Sequence, residues 1–132
     1  ALRAWMALKT EGVQRYRKQI EQNIRQAAYL DDLVRRQPDL ELLAPTALNI
    51  VNFRFRHASI PPSELDDFNA ELLMRLHEQG VAAPSSTMLN DSFSIRVAIC
   101  NHRSRRADFD ALIAGVLSIG RDMLGENGQQ RR

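Results

Sequence analysis

The chain has 132 residues, of which 44% are hydrophobic and 26% charged, as in an ordinary globular domain. No apolar run approaches the ~20 residues that a membrane span needs, so the sequence argues against a membrane partner. A single cysteine, Cys100, excludes an internal disulfide framework and predicts a reducing compartment, the cytoplasm. The chain also opens inside an amphipathic segment, ALRAWMALK, which leads us to expect a piece of a larger protein.

The first third of the chain has the periodicity of helices. Leu2, Trp5 and Met6 share a helical face, Gly12 interrupts the pattern, and a longer one-sided helix follows until Pro38. At about 23 residues this second helix would be a rod of about 35 Å, long for a domain of this size. We therefore predict that residues 1–36 are a helical segment linking to a missing large domain, and that residues 37–132 form a C-terminal α+β small domain.

Strand patterns dominate the middle of the chain. LELLAP, from Leu40, is a short candidate strand, and Leu48–Arg56 alternates apolar and polar side chains more clearly. Ser63 to Asp66 resembles a capping box and predicts a helix that ends at Gly80. The core residues expected from this helix are Leu65, Phe68, Leu72, Leu73 and Leu76.

A hairpin and a last helix complete the pattern. Residues 86–89 and 93–100 are predicted strands joined by a turn at Asn90–Asp91. Ser104 can cap a helix that Gly125 ends, with core residues Phe109, Leu112, Ile113, Val116, Leu117 and Met123. The predicted fold class is therefore α+β, with a mostly antiparallel sheet of three to four strands and helices packed on one face, preceded by a long N-terminal helix.

One face of this sheet should be rich in arginine. Alternation places Phe93, Ile95, Val97 and Ile99 on the core side of the last strand, and Cys100, at its end, is expected to be a small buried hydrophobe. The polar side would present Asn52, Arg54, Arg56, Ser94 and Arg96. These arginines are either solvated or belong to a face that docks on another domain and offers an arginine to an anion. The small residues beside Arg96, Ser94 and Ala98, favour close approach of a partner.

The residue types needed for catalysis or metal binding are scattered. His57, His77 and His102 fall in a loop, a helix and a turn, without metal-ligand spacing, so we expect no metal site. No glycine-rich phosphate loop and no nucleophile-elbow serine occur. The residues alone single out no catalytic and no cofactor-binding residue, and they leave a Ser/His/Asp triad open.

At RVAICNHR, and then over nearly the whole chain, the sequence resembles a known family, the group II pyridoxal-phosphate-dependent amino-acid decarboxylases. ALRAWMALKTEG resembles the helix near the end of that family's large domain, and AAYLDDLV its long connecting helix. APTALNIVNFRF, ELLMRLHEQG and SIRVAICNHRSRRADFDAL resemble successive pieces of its C-terminal small domain, a domain of fold-type I pyridoxal-phosphate enzymes.

The resemblance implies a parent enzyme, a carboxy-lyase that removes the α-carboxylate of an amino acid as carbon dioxide. It implies pyridoxal 5'-phosphate in the full-length protein, none bound to the fragment, and a cytoplasmic homodimer. Lys9 and Lys18 lack the neighbouring histidine of the family's Schiff-base lysine, so we expect the fragment alone to be inactive. Relatives place a substrate-carboxylate arginine at the position of Arg96, whereas Arg54 and Arg56 are expected to be docking residues.

Two features limit what the resemblance implies. Asp91 and Ser92 stand where relatives often have a glycine and a larger residue. The backbone that leads into Arg96 therefore departs from the pattern of the family. The amino acid that is decarboxylated is not determined by this part of the chain.

Two rival interpretations stay open. The first is a stand-alone α+β module that binds a ligand or an acidic protein through its arginine face. The second is a nucleic-acid binder, which the scarcity of aromatic residues and of lysine on that face disfavours.

Overall fold

The computed structural model describes residues 2–101 and 103–130, the last four by their backbone alone. Its helices are α1 (Leu2–Glu11), α2 (Val13–Arg35), α3 (Leu65–Glu78) and α4 (Arg106–Gln130), and its strands are β1 (Leu40–Leu42), β2 (Ile50–Phe55), β3 (Ser85–Leu89) and β4 (Ser92–Ala98). This order confirms the predicted α+β class. His102, predicted to be a turn residue, lies outside the described residues.

The four strands form one antiparallel sheet in the order β1-β2-β4-β3. The predicted turn between β3 and β4 is confirmed, since Asn90 and Asp91 have φ values of 49° and 59°. Two consecutive left-handed residues give a type I′ turn, whose twist matches that of the strands it joins. The tight turn fixes the register of β3 against β4, which pairs Ser85 with Arg96.

The hydrophobic core lies between one face of the sheet and the helices. Val51, Phe53, Phe55 and Ile95 are fully buried on this face, as the alternation predicted. The predicted core residues of α3 are all buried, and the Phe55 and Phe68 rings stack at 5.5 Å. The predicted core residues of α4 are buried too, except Leu117, which is half-buried.

Asn69 joins α3 to the sheet through a polar contact inside this core, and the sequence did not single it out. Its side chain is fully buried, and its Oδ1 accepts a hydrogen bond from the Phe55 backbone N–H at 2.7 Å. Its Nδ2 donates to the backbone oxygens of Phe55 (2.9 Å) and Leu65 (2.8 Å). The amide thus satisfies backbone groups at the end of β2 that would otherwise be buried without partners.

Two predicted caps are wrong. A 3₁₀ turn, Pro62–Glu64, precedes α3, and Asp66 accepts a hydrogen bond from the Phe93 backbone N–H at 2.9 Å instead of capping its own helix. At the start of α4, Asp108 accepts the Arg105 backbone N–H at 2.8 Å, and the helix begins two residues after Ser104. Asp66 therefore binds a backbone donor distant in sequence, whereas Asp108 makes the local contact from the third helical residue back to the N-cap N–H, one position later than predicted.

The predicted end of α4 is also wrong, since the helix runs through Gly125 to Gln130. A glycine ends a helix when it adopts a left-handed conformation, as Gly80 does with φ 65°. Gly125 has no positive φ and costs only its helix propensity, about 1 kcal/mol.

Only the C-terminal half of α2 packs on the domain. Its buried residues begin at Asn23 and continue with Ala27, Leu30 and Val34, while α1 has no buried residue. An exposed apolar stripe therefore runs along α1 and the first half of α2: Leu2, Trp5, Met6, Val13, Ile20 and Ile24. Among the described residues, no helix combines the length and apolar character needed to cross a membrane.

Side-chain contacts attach the packed half of α2. The Tyr29 hydroxyl donates to Asp110 of α4 at 2.7 Å, and the Thr46 hydroxyl donates to Asp31. Burial of Asp31 raises its pKa, but hydrogen bonds from Arg35 and Thr46 outweigh burial and leave the pKa below its ordinary value. Since this folded-state pKa lies below the unfolded one, Asp31 stabilises the fold above the unfolded value, and this contribution is lost as the pH falls through the folded value.

Replacing Gly120 by alanine should destabilise the core, because the new Cβ would lie 2.6–2.8 Å from Cδ2 and Cζ of the Phe55 ring and closer still to Cε2. We expect the free energy of unfolding to fall by about 1–3 kcal/mol, as for other overpacked cores. Urea unfolding measures this change. The matched control is Gly125→Ala, whose Cβ meets no atom within 4 Å and which should be neutral or stabilising; equal losses from both substitutions would contradict the packing described.

Removing the hydroxyl that pairs with Asp31 should weaken the acid sensitivity of the fold. In Thr46→Val, the pKa of Asp31 moves back towards its unfolded value, so less stability is lost between about pH 5 and pH 3. The free energy of unfolding, measured at several pH values over that range, gives the slope of stability against pH. The control is Thr10→Val on exposed α1, and a slope equal to that of the wild type in Thr46→Val would refute the role of this hydrogen bond.

Candidate functional site

The candidate site lies on the face of the sheet that the helices leave uncovered, here called the open face. Residues paired directly in an antiparallel sheet point to the same side. One row across the open face contains Asn52, Arg96 and Ser85. A second row contains Glu41, Arg54, Ser94 and Thr87, where Arg54 and Ser94 face each other by continuation of the register.

In the second row, one carboxylate holds two of the arginines. The Arg54 Nε lies 2.8 Å from Glu41 Oε2, and a terminal nitrogen of Arg56 lies 2.8 Å from Glu41 Oε1. The Arg54 side chain is only 14% exposed, and Asp66 lies 3.9 Å from its guanidinium. Arg54, expected to be a docking residue, is therefore held inside the sheet, whereas Arg56 is 60% exposed and remains accessible.

Ser94 and Cys100 differ from the prediction. Ser94 lies on the open face as expected but is fully buried, since its small side chain sits between the longer Arg54 and Thr87 in its row. Cys100 is exposed instead of buried, because β4 ends at Ala98 and the chain leaves the sheet before reaching it.

Of the arginines in these two rows, Arg96 is the one that has no carboxylate partner among the described residues. Its side chain is half-buried, and within the described residues its guanidinium makes no hydrogen bond or ion pair. Its row partners, Asn52 and Ser85, are uncharged, and Ser85 donates its hydroxyl to the Arg96 backbone oxygen at 3.2 Å. A guanidinium presents five N–H donors in a planar fork that matches a carboxylate. The site therefore has the chemistry to bind an anion.

A cleft of about 340 Å³ adjoins Arg96 at the edge of the sheet. Arg96 and Ser85 line it together with apolar side chains from β4 and α4, namely Val97, Phe109 and Leu112. The cleft thus combines the Arg96 cation and the Asp108 carboxylate with walls that are mainly apolar, and Asp108 also accepts the Arg105 backbone N–H. A mainly apolar cleft with a few charged or polar groups is typical of sites for small organic ligands.

The other titratable side chains among the described residues lie apart from the candidate site. The histidine rings make local contacts: His57 Nδ1 lies 2.7 Å from Ser59 Oγ, and His77 Nε2 lies 2.8 Å from the Pro84 oxygen. In the part of the chain that the structure describes, no three His, Cys, Asp or Glu side chains are close enough to hold a metal ion.

Proteins of known sequence match this chain over most of its length. It is 30% identical over 102 residues to tryptophan decarboxylase 1 of Oryza sativa subsp. japonica, which covers 74% of this chain and 20% of that protein. It is 23% identical over 124 residues to the aromatic-L-amino-acid decarboxylase of Bacillus atrophaeus, covering 93% of this chain and 26% of that protein. The chain thus spans a fifth to a quarter of the length of these relatives. No protein-family model matches it.

A solved structure shows the same fold. The crystal structure of the Oryza sativa decarboxylase TDC with pyridoxal phosphate and tryptamine superimposes with a TM-score of 0.82 at 25% identity, over 90% of this chain and 26% of that one. The fold is therefore that of the C-terminal domain of such enzymes. In sequence and in fold, this chain is similar to the C-terminal domain of the group II pyridoxal-phosphate-dependent amino-acid decarboxylases, as the resemblance predicted.

The surroundings of the two lysines bear on cofactor binding. Lys9 and Lys18 are exposed on α1 and α2, and Lys9 lies 5.4 Å from the Trp5 ring centroid. Neither lysine lies on the open face that carries Arg96. An amine that forms a bond to the cofactor needs a desolvated pocket, whereas both lysine side chains are exposed on helix surfaces.

Removing Arg54 should destabilise the sheet more than removing Arg56. Arg54→Ala leaves the half-buried Glu41 without its better-buried partner, so we expect a loss of about 1–3 kcal/mol in unfolding free energy. Arg56→Ala removes an exposed ion pair and should cost less than about 1 kcal/mol. Urea unfolding compares the two variants, and a larger effect of Arg56→Ala would contradict the distinction.

Proposed function

We propose that this chain is the C-terminal domain of a pyridoxal-phosphate-dependent decarboxylase of aromatic L-amino acids, that its open face forms one wall of the active site, and that Arg96 binds the substrate carboxylate. The observation that carries the proposal is the unneutralised guanidinium of Arg96 on an uncovered face. The names of the relatives support the aromatic class of substrate.

The residues around Arg96 suit a carboxylate-binding role. A bidentate pair between guanidinium and carboxylate fixes both the distance and the plane of the bound group. Ser94 and Ala98, its neighbours on the same face of β4, are small enough to let a ligand approach. The apolar cleft beside Arg96 can hold part of an aromatic side chain. Pyridoxal phosphate, held by residues outside this chain, supplies the electron sink for the loss of carbon dioxide.

The exposed apolar stripe supports a large-domain partner. Leu2, Trp5 and Val13 expose 57–69% of their surface, and the stripe continues the face by which α2 packs on its own domain. We propose that the large domain covers this stripe and brings the cofactor to the open face. The isolated chain, without a catalytic lysine, is then inactive. The homodimeric assembly and cytoplasmic location implied by the resemblance belong to the same proposal.

A stand-alone binding module is the second candidate. The cleft next to Arg96 favours it, because a cation beside apolar walls can bind an organic anion without catalysis. Activity of the full-length protein separates the two: release of carbon dioxide from an aromatic amino acid supports the enzyme, and binding of the amino acid without release supports the module.

In the full-length protein, Arg96→Ala should lower kcat/KM by about ten- to a hundredfold, mainly through KM, because hydrogen bonds to charged groups contribute about 1.5–3 kcal/mol. Steady-state decarboxylation, followed by release of carbon dioxide, tests this. The variant should stay folded, which thermal unfolding checks, since Arg96 makes no ion pair with the described residues. The matched control is Arg56→Ala, with wild-type kinetics expected; normal kinetics in Arg96→Ala would remove the assignment.

A further inference from the structure

Asn52, the residue directly opposite Arg96 in β2, carries an unsatisfied acceptor. Its Oδ1 is shut off from solvent and has no hydrogen-bond donor among the residues that the structure describes. A buried carbonyl oxygen without a donor destabilises the fold, so such an atom in the middle of a sheet calls for an explanation.

The missing donor is available in the same row. Residues paired directly in an antiparallel sheet have Cβ atoms about 4.5–5.5 Å apart, which puts the Arg96 guanidinium within reach of Asn52. Arg96 makes no hydrogen bond or ion pair with the described residues, so its N–H groups are free. A bidentate carboxylate occupies two of the five donors and leaves three that need acceptors once a second domain excludes water.

The carboxylate next to this row is already committed. Glu41 uses one oxygen for Arg54 and the other for Arg56, both at 2.8 Å. Of the two uncharged side chains paired with Arg96, Ser85 and Asn52, Asn52 is the one with a buried, unpaired acceptor among the described residues. A neutral amide can orient a guanidinium without cancelling the charge that attracts an anionic ligand, whereas an aspartate at the same place would compete with that ligand.

We infer that Asn52 is a positioning residue for Arg96: its Oδ1 accepts an N–H of the guanidinium and holds the fork in the orientation that receives a ligand carboxylate, while leaving its charge available. The inference rests on the proposed role of Arg96 as the carboxylate-binding residue. It also explains why an asparagine stands at this position. Contact between the two side chains gives the guanidinium N–H groups of Arg96 an acceptor and gives Asn52 Oδ1 a donor.

Kinetics of the full-length protein test the inference through Asn52→Asp. The substrate is whichever of L-tryptophan, L-tyrosine and L-phenylalanine gives the highest turnover, and the competing probes are its amine product and the matching arylpropionate. Because an internal Asp–Arg pair competes with the ligand carboxylate, KM and the inhibition constant of the arylpropionate should rise at least about tenfold. The inhibition constant of the amine, which lacks a carboxylate, should stay within about twofold of the wild-type value.

Two further variants complete the kinetic test. Asn52→Leu removes the acceptor without adding charge and should raise KM for the amino acid by a smaller factor, with amine binding unchanged. Gln14→Glu, at an exposed position of α2, adds the same unit of negative charge as Asn52→Asp and should have wild-type kinetics. Equal effects of Asn52→Asp on carboxylate and amine ligands would overturn the inference.

Thermal unfolding gives a readout that does not depend on catalysis. Asn52→Asp should raise the unfolding midpoint of the full-length protein when Arg96 is present and should lower it in an Arg96→Ala background, because only the first combination forms an ion pair. Additive effects of the two substitutions would mean that the side chains do not touch and would overturn the inference. If the midpoints are coupled but Arg96→Ala has normal kinetics, the contact stands and the proposed carboxylate-binding role fails.

Discussion

The antiparallel pairing of β2 with β4 is the constraint on which the rest of the structure depends. Its register sets Phe53 opposite Ile95 on the core side and Asn52 opposite Arg96 on the open side. Side chains alternate with a period of two, so a slip of one residue would put arginines into the core and phenylalanines into solvent. The cost of burying those charges makes this register the stable one, and the same register assembles the row that carries the candidate site.

Two contacts in the core keep the helices in place behind that pairing. The Asn69 amide binds the backbone of Phe55 at the end of β2, and Gly120 lets α4 approach the ring of the same phenylalanine. Phe55 is thus fixed by α3 and α4 at once, by hydrogen bonds and by close packing. Because these contacts tie the helices to one face of β2, the other face stays uncovered and available to a partner or ligand.

The arginines of the open face differ in the charged groups that surround them. Glu41 forms ion pairs with both Arg54 and Arg56, and Asp66 lies 3.9 Å from Arg54, so these four side chains form a structural ion-pair network. Arg96, one row away, is paired across the sheet with the uncharged Asn52 and Ser85, and it makes no ion pair among the described residues. The chemical difference between identical side chains therefore arises from which carboxylate reaches which arginine. The similarity to amino-acid decarboxylases is consistent with this division, since their substrates carry a carboxylate.

The sequence by itself determined the order of elements, the core face of each strand and helix, and the turn at Asn90–Asp91. These features follow from local periodicity and from backbone conformations that few residues adopt, so short stretches suffice to predict them. It also pointed to Arg96, through alternation and through the family resemblance. Only the tertiary structure decided which carboxylate binds which donor, and which arginine has no carboxylate partner among the described residues. Asp66 accepts the Phe93 backbone N–H and Glu41 binds Arg54, in both cases across sequence separations that no local pattern encodes. Side-chain hydrogen bonds form between whichever donors and acceptors the packed backbone brings together, and that choice is made by the register of distant strands.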